Sequence, residues 1–458
     1  MALFSTGLFL PMKSIKLHLK VAGLELPDDF QLSEDFTRCF EELENTRNNL
    51  YITGEAGTGK TTLLKYFRQN TKKNLVVLAP TGIAAINCSG QTIHSFFRFP
   101  AKFLQKENIR RVPGGQKIFS KLDILIIDEA SMMRADIMDA VDEALRLNMG
   151  NEYEPFGGVQ VALIGDLYQL PPIIDPQSKE IYSQIYETPY FFSSKIYGQA
   201  PFKQIVLNKI YRQSDGEFTR ILNQIRNKNL GAAELAVLNV RANQPAPQED
   251  CMTLTPTNAA AAGINEACLD KLESDAFAYE AIVDGEFEEA AYPTERELQL
   301  KVGAQVLMIQ NDPAKRWVNG SVGEITKLGG DSIEVRIEDK KHVVDTVRWR
   351  KIKYELDADL DRITEKEVGG FEQYPIKLAW AITIHKSQGL TFERVIVDLG
   401  RGTFAHGQAY VALSRCRSLE GLILKRPLKI SDIIFDPRVA KYHQRQSPEV
   451  FADEEVPF

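Results

Sequence analysis

Short runs of consecutive apolar residues, each ended by a polar or glycine-rich turn, set the rhythm of the chain. Leu50–Thr53 runs into GEAGTGKT, LVVLAPT spans Leu75–Thr81, LDILIID spans Leu122–Asp128, and Val159–Ile164 ends in GDLYQLPP. Helical spacing separates them: Thr62–Phe67 after the first turn, a segment reaching about Asn148 after the third run, and an amphipathic stretch reaching about Asn227. A short turn and an amphipathic helix are expected over Pro27–Phe40. Unbroken apolar strands alternating with helices predict a parallel sheet covered on both faces.

The texture then changes. CMTLTPTN at Cys251–Asn258 repeats the strand-then-Pro-Thr pattern of Ala79–Thr81, but the next run of that kind, PIKLAWAITIHKSQGLTFERVIVDL, resumes the second core only at Ile376. Between them, Val302–Tyr354 alternates with a period of two at Ile333, Val335 and Ile337 and turns at Gly320, Gly323 and Gly329-Gly330. That predicts an all-β insert, most simply a small Src-homology-type barrel, with Arg348, Arg350, Lys351 and Lys353 on its last strand. Lys102–Lys121 is basic, lacks apolar periodicity and centres on Pro113-Gly114-Gly115, which predicts a small inserted lobe.

At 458 residues the chain exceeds one ordinary core, and 44% hydrophobic with 26% charged residues describes a soluble globular protein. A net charge of −7 argues against coating nucleic acid through bulk charge, yet leaves room for a basic channel, because Glu273–Glu297 alone holds nine carboxylates and one arginine and the terminal ADEEVPF adds more. Five scattered cysteines with no C-x-x-C pair read as reduced thiols and not zinc ligands. No apolar run spans a bilayer. Met1–Pro11 is apolar but lacks a basic n-region and a cleavage site, so no signal peptide is assigned; a tail ahead of Met12 fits equally well.

Chemistry enters at the turns. Gly54–Thr61 is G-x-x-x-x-G-K-T between a strand and a helix. Glycines let several backbone N–H groups converge, the helix N-terminus adds partial positive charge, and Lys60 brings a full charge for β- and γ-phosphates. Gly57, Thr58, Gly59, Lys60, Thr61 and Thr62 are thus the expected nucleotide cradle, with Thr61 and Asp128 as Mg²⁺ ligands and Glu129 as proton acceptor for the attacking water. Gln169 reads either as a γ-phosphate sensor or as an ordinary loop hydrogen bond. Arg212 and Arg415 are arginine-finger candidates, and Tyr211 either stacks on adenine or sits in a core. Thr81, Thr92, His94, Thr383, His385 and Lys386, with Gly82, occupy strand-to-helix turns suited to the phosphates of a single strand. Phe96, Phe97 and Phe99 read as core or as base platforms, and His94 also admits a structural role.

In register, GEAGTGKTTLL, LAPTGIAAINCSGQTIHSFF, LIIDEASMM, PFGGVQVALIGDLYQLPP, LNKIYRQ, WVNGSVGEI, AITIHKSQGLTF and AYVALSRCR resemble the Pif family of superfamily-one DNA helicases, relatives of RecD. The resemblance covers most of Asn49–Leu424, and PFGGVQ favours Pif over RecD. It implies an α/β fold of two RecA-like P-loop domains: 1–200, with a wedge insertion at 102–120, and 201–264 joined to 372–458, with a β-barrel-like accessory domain at 265–371. It also implies ATP-driven 5′-to-3′ translocation on single-stranded DNA by alternating grip, unwinding of duplex junctions, and G-quadruplex as a further substrate. DNA repair, recombination and telomere maintenance follow as expected roles. Lys60, Thr61, Asp128, Glu129, Gln169, Arg212, Gln388, Gly389 and Arg415 become the ATPase set, and Thr81, His94, Thr383, His385 and Lys386 lie near DNA. A monomer is expected, cytoplasmic in a prokaryote and nuclear or mitochondrial otherwise. The family usually places an adenine-reading glutamine near Phe36; this chain has Thr37, with Gln31 the nearest candidate, which leaves base selectivity open. Two other readings of the residues are a P-loop switch or small-molecule kinase, indifferent to DNA, and a nucleic-acid-binding module with a degenerate ATPase, which intact Lys60, Asp128 and Glu129 oppose. Within helicases the alternative is a RecD-like or relaxase-associated type.

Overall fold

The computed structural model of the protein describes Leu26, Phe30 and residues 32–446, apart from 101, 214, 245–250, 331 and 358. Met1–Pro11, Gln31 and the acidic C-terminus lie outside those residues. Strands β1 (Asn49–Gly54), β2 (Leu75–Ala79), β3 (Gln91–Thr92), β4 (Ile124–Ile127), β5 (Gln160–Ile164) and β6 (Phe202–Leu207) form one sheet in the order β3-β2-β4-β5-β1-β6. All its pairings are parallel. The apolar runs are unbroken because both faces are buried. Tyr51, Val76, Leu78, Leu125, Ile127, Val161 and Leu163 enter one core, and the intervening Leu50, Ile52, Val77, Ile124, Ile126, Ala162 and Ile164 enter another.

Phe202–Leu207, expected to open the second domain at 201, instead completes this first sheet. It pairs with β1 along the whole strand, from Asn49 against Phe202 to Gly54 against Leu207. Without it β1 would be an open edge beside the phosphate loop.

The second α/β unit starts with the helix Gly216–Arg226 and β7 (Met252–Thr255). The chain then leaves for β8 (Ala276–Glu280), β9 (Ile282–Gly285), β10 (Glu297–Lys301), β11 (Gln305–Met308), β12 (Val322–Leu328), β13 (Ile333–Ile337), β14 (Lys340–Val344), β15 (Val347–Asp357), β16 (Arg362–Gln373) and β17 (Ile376–Leu378). It returns as β18 (Ala381–Thr383), β19 (Val395–Val397) and β20 (Leu422–Leu424), giving a second parallel sheet ordered β18-β7-β19-β20. Ile376 therefore does not resume the second core: it is buried with the insert, pairing with Met308 in the antiparallel sheet β14-β13-β12-β11-β17. That sheet and the β8–β10 pair close on one core containing Tyr279, Leu298, Val306, Ile325, Val335 and Trp317, a barrel-like arrangement.

The basic strand is not the barrel's last. β15 and β16 form a long hairpin that joins β9 in a separate three-stranded sheet. Its charges are spent on the acidic segment and on β16: Arg348 bonds to Asp284 (2.6 Å) and to Glu367 of β16 (2.7 Å), Lys351 to Glu288 (2.9 Å), and Lys353 to Glu286. The far end of the hairpin docks on the first sheet. There β3 is only two residues long and leaves Val77 on β2 without a strand partner on that side. The buried Tyr354 hydroxyl serves both groups, accepting from Val77 N–H (3.1 Å) and donating to its carbonyl (3.2 Å). Ile363 N–H reaches Asn74 Oδ1 at 3.1 Å, Lys121 meets Asp361 at 2.7 Å, and Arg68 meets Glu365. The 102–121 segment lies against the same region, anchored by Leu104, Ile109 and Phe119 in the main core.

Candidate functional site

Sequence locally dictates the phosphate loop. Gly57 and Gly59 adopt φ of +87° and +83°, left-handed values that L side chains rarely adopt. A Cβ at Gly57 would lie 2.4 Å from Arg212 Cβ, so the connection after β6 presses directly on the loop. Tyr211 N–H donates to Gly57 O (2.9 Å), and Thr58 Oγ1 donates to Glu55 O (2.9 Å). Lys60 opens the helix Lys60–Asn70 and parks its ammonium on Gly54 O (2.7 Å) and Glu55 O (2.9 Å). Burial pulls its pKa down, opposed by Asp166 and Glu129. Phe36 and Tyr211 flank Gly59, which places them where a base could lie. Tyr211 is half exposed, with Lys209 5.0 Å from its ring centre, so the core reading of this tyrosine fails. Thr37 donates its hydroxyl to Ser33 O (3.1 Å) within its own helix.

Asp128 and Glu129 stand at the C-terminal end of β4. Burial and then the neighbouring Glu129 push Asp128 up to about 7, while Glu129 is raised by burial. Glu129 holds φ +50°, ψ +40°, a strained left-handed conformation that turns it toward the cleft of Lys60, Arg415 and Arg212, the charges it interacts with. Two adjacent buried carboxylates that raise each other's cost, Asp128 above all, fit a divalent cation. Among the described residues no group of three or more His, Cys, Asp or Glu side chains could cage one. Thr61 and Asp128 would therefore share it with phosphate oxygens, the usual arrangement for Mg²⁺.

Two further cations and two glutamines close the cleft. Arg415 is fully buried after the helix Gln408–Leu413, donating to Val411 O (2.9 Å) and Ser414 Oγ (2.8 Å). Burial, then Arg212, hold its pKa well below the guanidinium range. Arg212 reaches Gly389 O at 3.4 Å, keeps a buried Nη1 without a partner, and is lowered by burial to about 10. Gln388 likewise has a buried amide nitrogen without a partner. Gln169 sits against Asp166, its amide donating at 3.3 Å. Reasoning on sequence missed Arg226, at the end of Gly216–Arg226, which packs beside the cleft on protein groups alone: it meets Asp166 at 3.4 Å and Glu55 at 4.0 Å and lies 4.1 Å over the Tyr168 ring. It also missed Tyr410, whose hydroxyl accepts Ala56 N–H at 3.1 Å. Lone arginines and tyrosines in helices carry no spacing signal.

The turn residues occupy matching places in both halves. Thr81 caps Gly82–Asn87, Thr92 caps Ile93–Phe97, and Thr383 Oγ1 accepts Lys386 N–H. Thr257, not singled out earlier, caps Asn258–Asp270 as Thr81 does its helix, so the second Pro-Thr turn repeats the first. Lys386 is exposed, whereas burial lowers His94 and His385. Phe96, Phe97 and Phe99 are core. A separate cavity of about 560 Å³ lies between 103–109, the helix Ala135–Met149 and Ile185–Gln199. Its Asp136, Asp139 and Asp142 are engaged by Arg134, Tyr186 and Arg146.

The PIF1-like helicase profile matches residues 31–234, and that of the DNA helicase Pif1 2B domain matches 289–328. ATP-dependent DNA helicase Pif1 of Bdellovibrio bacteriovorus is 30% identical across 93% of this chain and 94% of its own length. The Xenopus laevis PIF1 helicase is 32% identical across 93% of this chain, which spans 66% of that longer protein. Bacteroides sp. Pif1 in complex with ADP-AlF4 superposes with a TM-score of 0.85 at 36% identity, covering 92% of this chain and 98% of that one. Bacteroides Pif1 bound to ssDNA, at the same identity and coverage, superposes with only 0.68. Among the described residues no helix is long and apolar enough to cross a membrane, and the relatives come from bacteria and eukaryotes alike.

Proposed function

Because the chain belongs to the PIF1-like helicase family and is an ATP-dependent DNA helicase, we propose that ATP is hydrolysed between its two parallel-sheet units and that hydrolysis moves it 5′-to-3′ along single-stranded DNA. One observation carries the hydrolysis part of this reading: Lys60, Glu129, Arg212 and Arg415, from elements scattered between β1 and β20, converge on one cleft with polar groups left unpaired. Backbone N–H groups of Gly57–Thr62 and Lys60 hold the phosphates once Lys60 leaves its parking carbonyls. Thr61 and Asp128 hold Mg²⁺, which when bound draws charge from the phosphate oxygens. Glu129 takes the proton of the attacking water, Gln169 orients on the γ-phosphate, and Arg212 and Arg415 neutralise the transferred phosphoryl group. Gln388 and Gly389 line the second wall, and Tyr211 stacks on the base.

Thr81, Gly82, Thr92, His94, Thr383, His385 and Lys386 face the DNA strand, joined by Thr257. Alternating grip by the two sets moves the strand, and the 102–120 lobe is the wedge. The lower superposition on the ssDNA-bound Bacteroides structure supports a different arrangement of the units on single-stranded DNA, and in our reading the docked β15–β16 hairpin leaves the first sheet in that change. Junctions, forked duplexes and quadruplexes are the expected structured substrates.

Arg415→Ala tests the cleft: ATP binding persists while DNA-stimulated turnover falls by about 10³-fold or more, and unchanged turnover sinks the assignment. Unwinding of duplexes with 5′ or 3′ single-stranded tails tests direction; success only with 3′ tails overturns it.

A further inference from the structure

We propose that Arg226 is the positioning residue that couples the γ-phosphate sensor Gln169 to the second unit, through Asp166. It lies on the helix Gly216–Arg226, whose Phe218, Ile221, Leu222 and Ile225 are buried in the main core and whose body packs against Gln408–Leu413, the helix that leads to Arg415. From there its guanidinium crosses to the first unit. It meets Asp166 at 3.4 Å, stacks 4.1 Å over Tyr168 and approaches Glu55 of the phosphate loop at 4.0 Å. Asn223, one turn earlier, donates to both Glu55 oxygens (2.6 and 2.8 Å) when its amide is turned nitrogen-first.

Asp166 is the hub. It is buried, accepts Tyr168 N–H (3.1 Å), and accepts the Gln169 side-chain amide (3.3 Å) on the oxygen that Arg226 does not use. One carboxylate thus holds the sensor on one side and the other unit's cation on the other. When Gln169 turns to a γ-phosphate it releases its hydrogen bond to Asp166, which can then pair more fully with Arg226, whose Nε is buried without a partner. Loss of the phosphate reverses the exchange. The device links nucleotide state to the seating of one unit on the other without Arg226 touching nucleotide or DNA.

The inference rests on Gln169 as sensor, so the test separates the two. In full-length protein, ATPase with and without oligo-dT and the ratio of oligo-dT Kd values in ADP and in a non-hydrolysable ATP analogue are measured for Arg226→Gln, Gln169→Ala and the double variant. Arg226→Gln should keep DNA-independent turnover and the KM for ATP within about threefold, while DNA stimulation falls about tenfold and the Kd ratio collapses toward one. Adding it to Gln169→Ala should cost nothing further. Unchanged stimulation in Arg226→Gln, losses that multiply in the double variant, or an equal fall in DNA-independent turnover overturns the coupling role. Unchanged stimulation in Gln169→Ala overturns the sensor reading itself. Should Arg226→Gln fail to fold, Arg226→Lys, which keeps a cation but loses the planar fork, enters the same cycle.

Discussion

Asp128 shows how a site residue can cost stability. Its carboxyl is pushed from 3.8 to about 7 by burial and by Glu129. A raised carboxyl pKa favours the fold only while the proton is held. Its contribution is complete below about 4, drains away as pH rises toward 7, and is gone above it. Asp128→Asn should therefore melt higher than the wild type in the absence of nucleotide and cation, with an advantage that grows between pH 4 and 7 and then levels off, although its ATPase is lost. A gap that is constant across that range would remove the buried-charge account. The same argument explains why Asp-Glu after an apolar run was readable as chemistry: two carboxylates at a buried strand end have no structural use that repays their desolvation. Arg226 was unreadable for the opposite reason, since its partners Glu55, Asp166 and Tyr168 are distant in sequence and only the fold collects them.

Gly407 governs how one helix meets the other unit. It precedes Gln408–Leu413 with φ +71°, and a Cβ there would lie 2.4 Å from the carbonyl oxygens of Tyr168 and Gln169. Beside it His406 donates from Nε2 to Leu167 O (3.0 Å), with Nδ1 accepting from Asp436 N–H (2.9 Å). Gly400 is the natural control: φ is +54° but nothing lies within 4 Å of its Cβ position. Gly400→Ala should cost about 1–2 kcal/mol from left-handed backbone alone. Gly407→Ala must also push the units apart, so its melting midpoint falls further and its ATPase drops; equal effects of the two in melting and turnover assays would show that the close approach is unimportant. Strands were the legible elements: β13 alternates buried and half-buried as Ile333, Val335 and Ile337 foretold. Their membership was less so, because a run such as Phe202–Leu207 says it is a strand without saying which open edge it fills. The β15–β16 hairpin was misassigned to the barrel since its long side chains carry alternate charge whether they face DNA or, as here, Asp284, Glu286 and Glu288.

Across the entire protein the hairpin connects three parts of the architecture: the barrel-like insert, the first sheet and the acidic segment. Among its contacts with the first sheet, the buried Tyr354 hydroxyl is the one that satisfies backbone otherwise left bare at Val77. Tyr354→Phe keeps the ring against Phe96 but strands a donor and an acceptor, which should weaken docking by about 1–3 kcal/mol. If docking competes with DNA, that weakening reappears as affinity: at 1.4 kcal/mol per decade, single-stranded DNA should bind about 5- to 140-fold more tightly to the variant. A merely structural tyrosine would instead lower affinity along with stability. Hydrogen exchange at the Val77 amide reads the same event directly. It should be slow in free wild type, faster in Tyr354→Phe, and faster in wild type once oligo-dT is added; protection that survives DNA would mean that the hairpin stays in place while the motor runs.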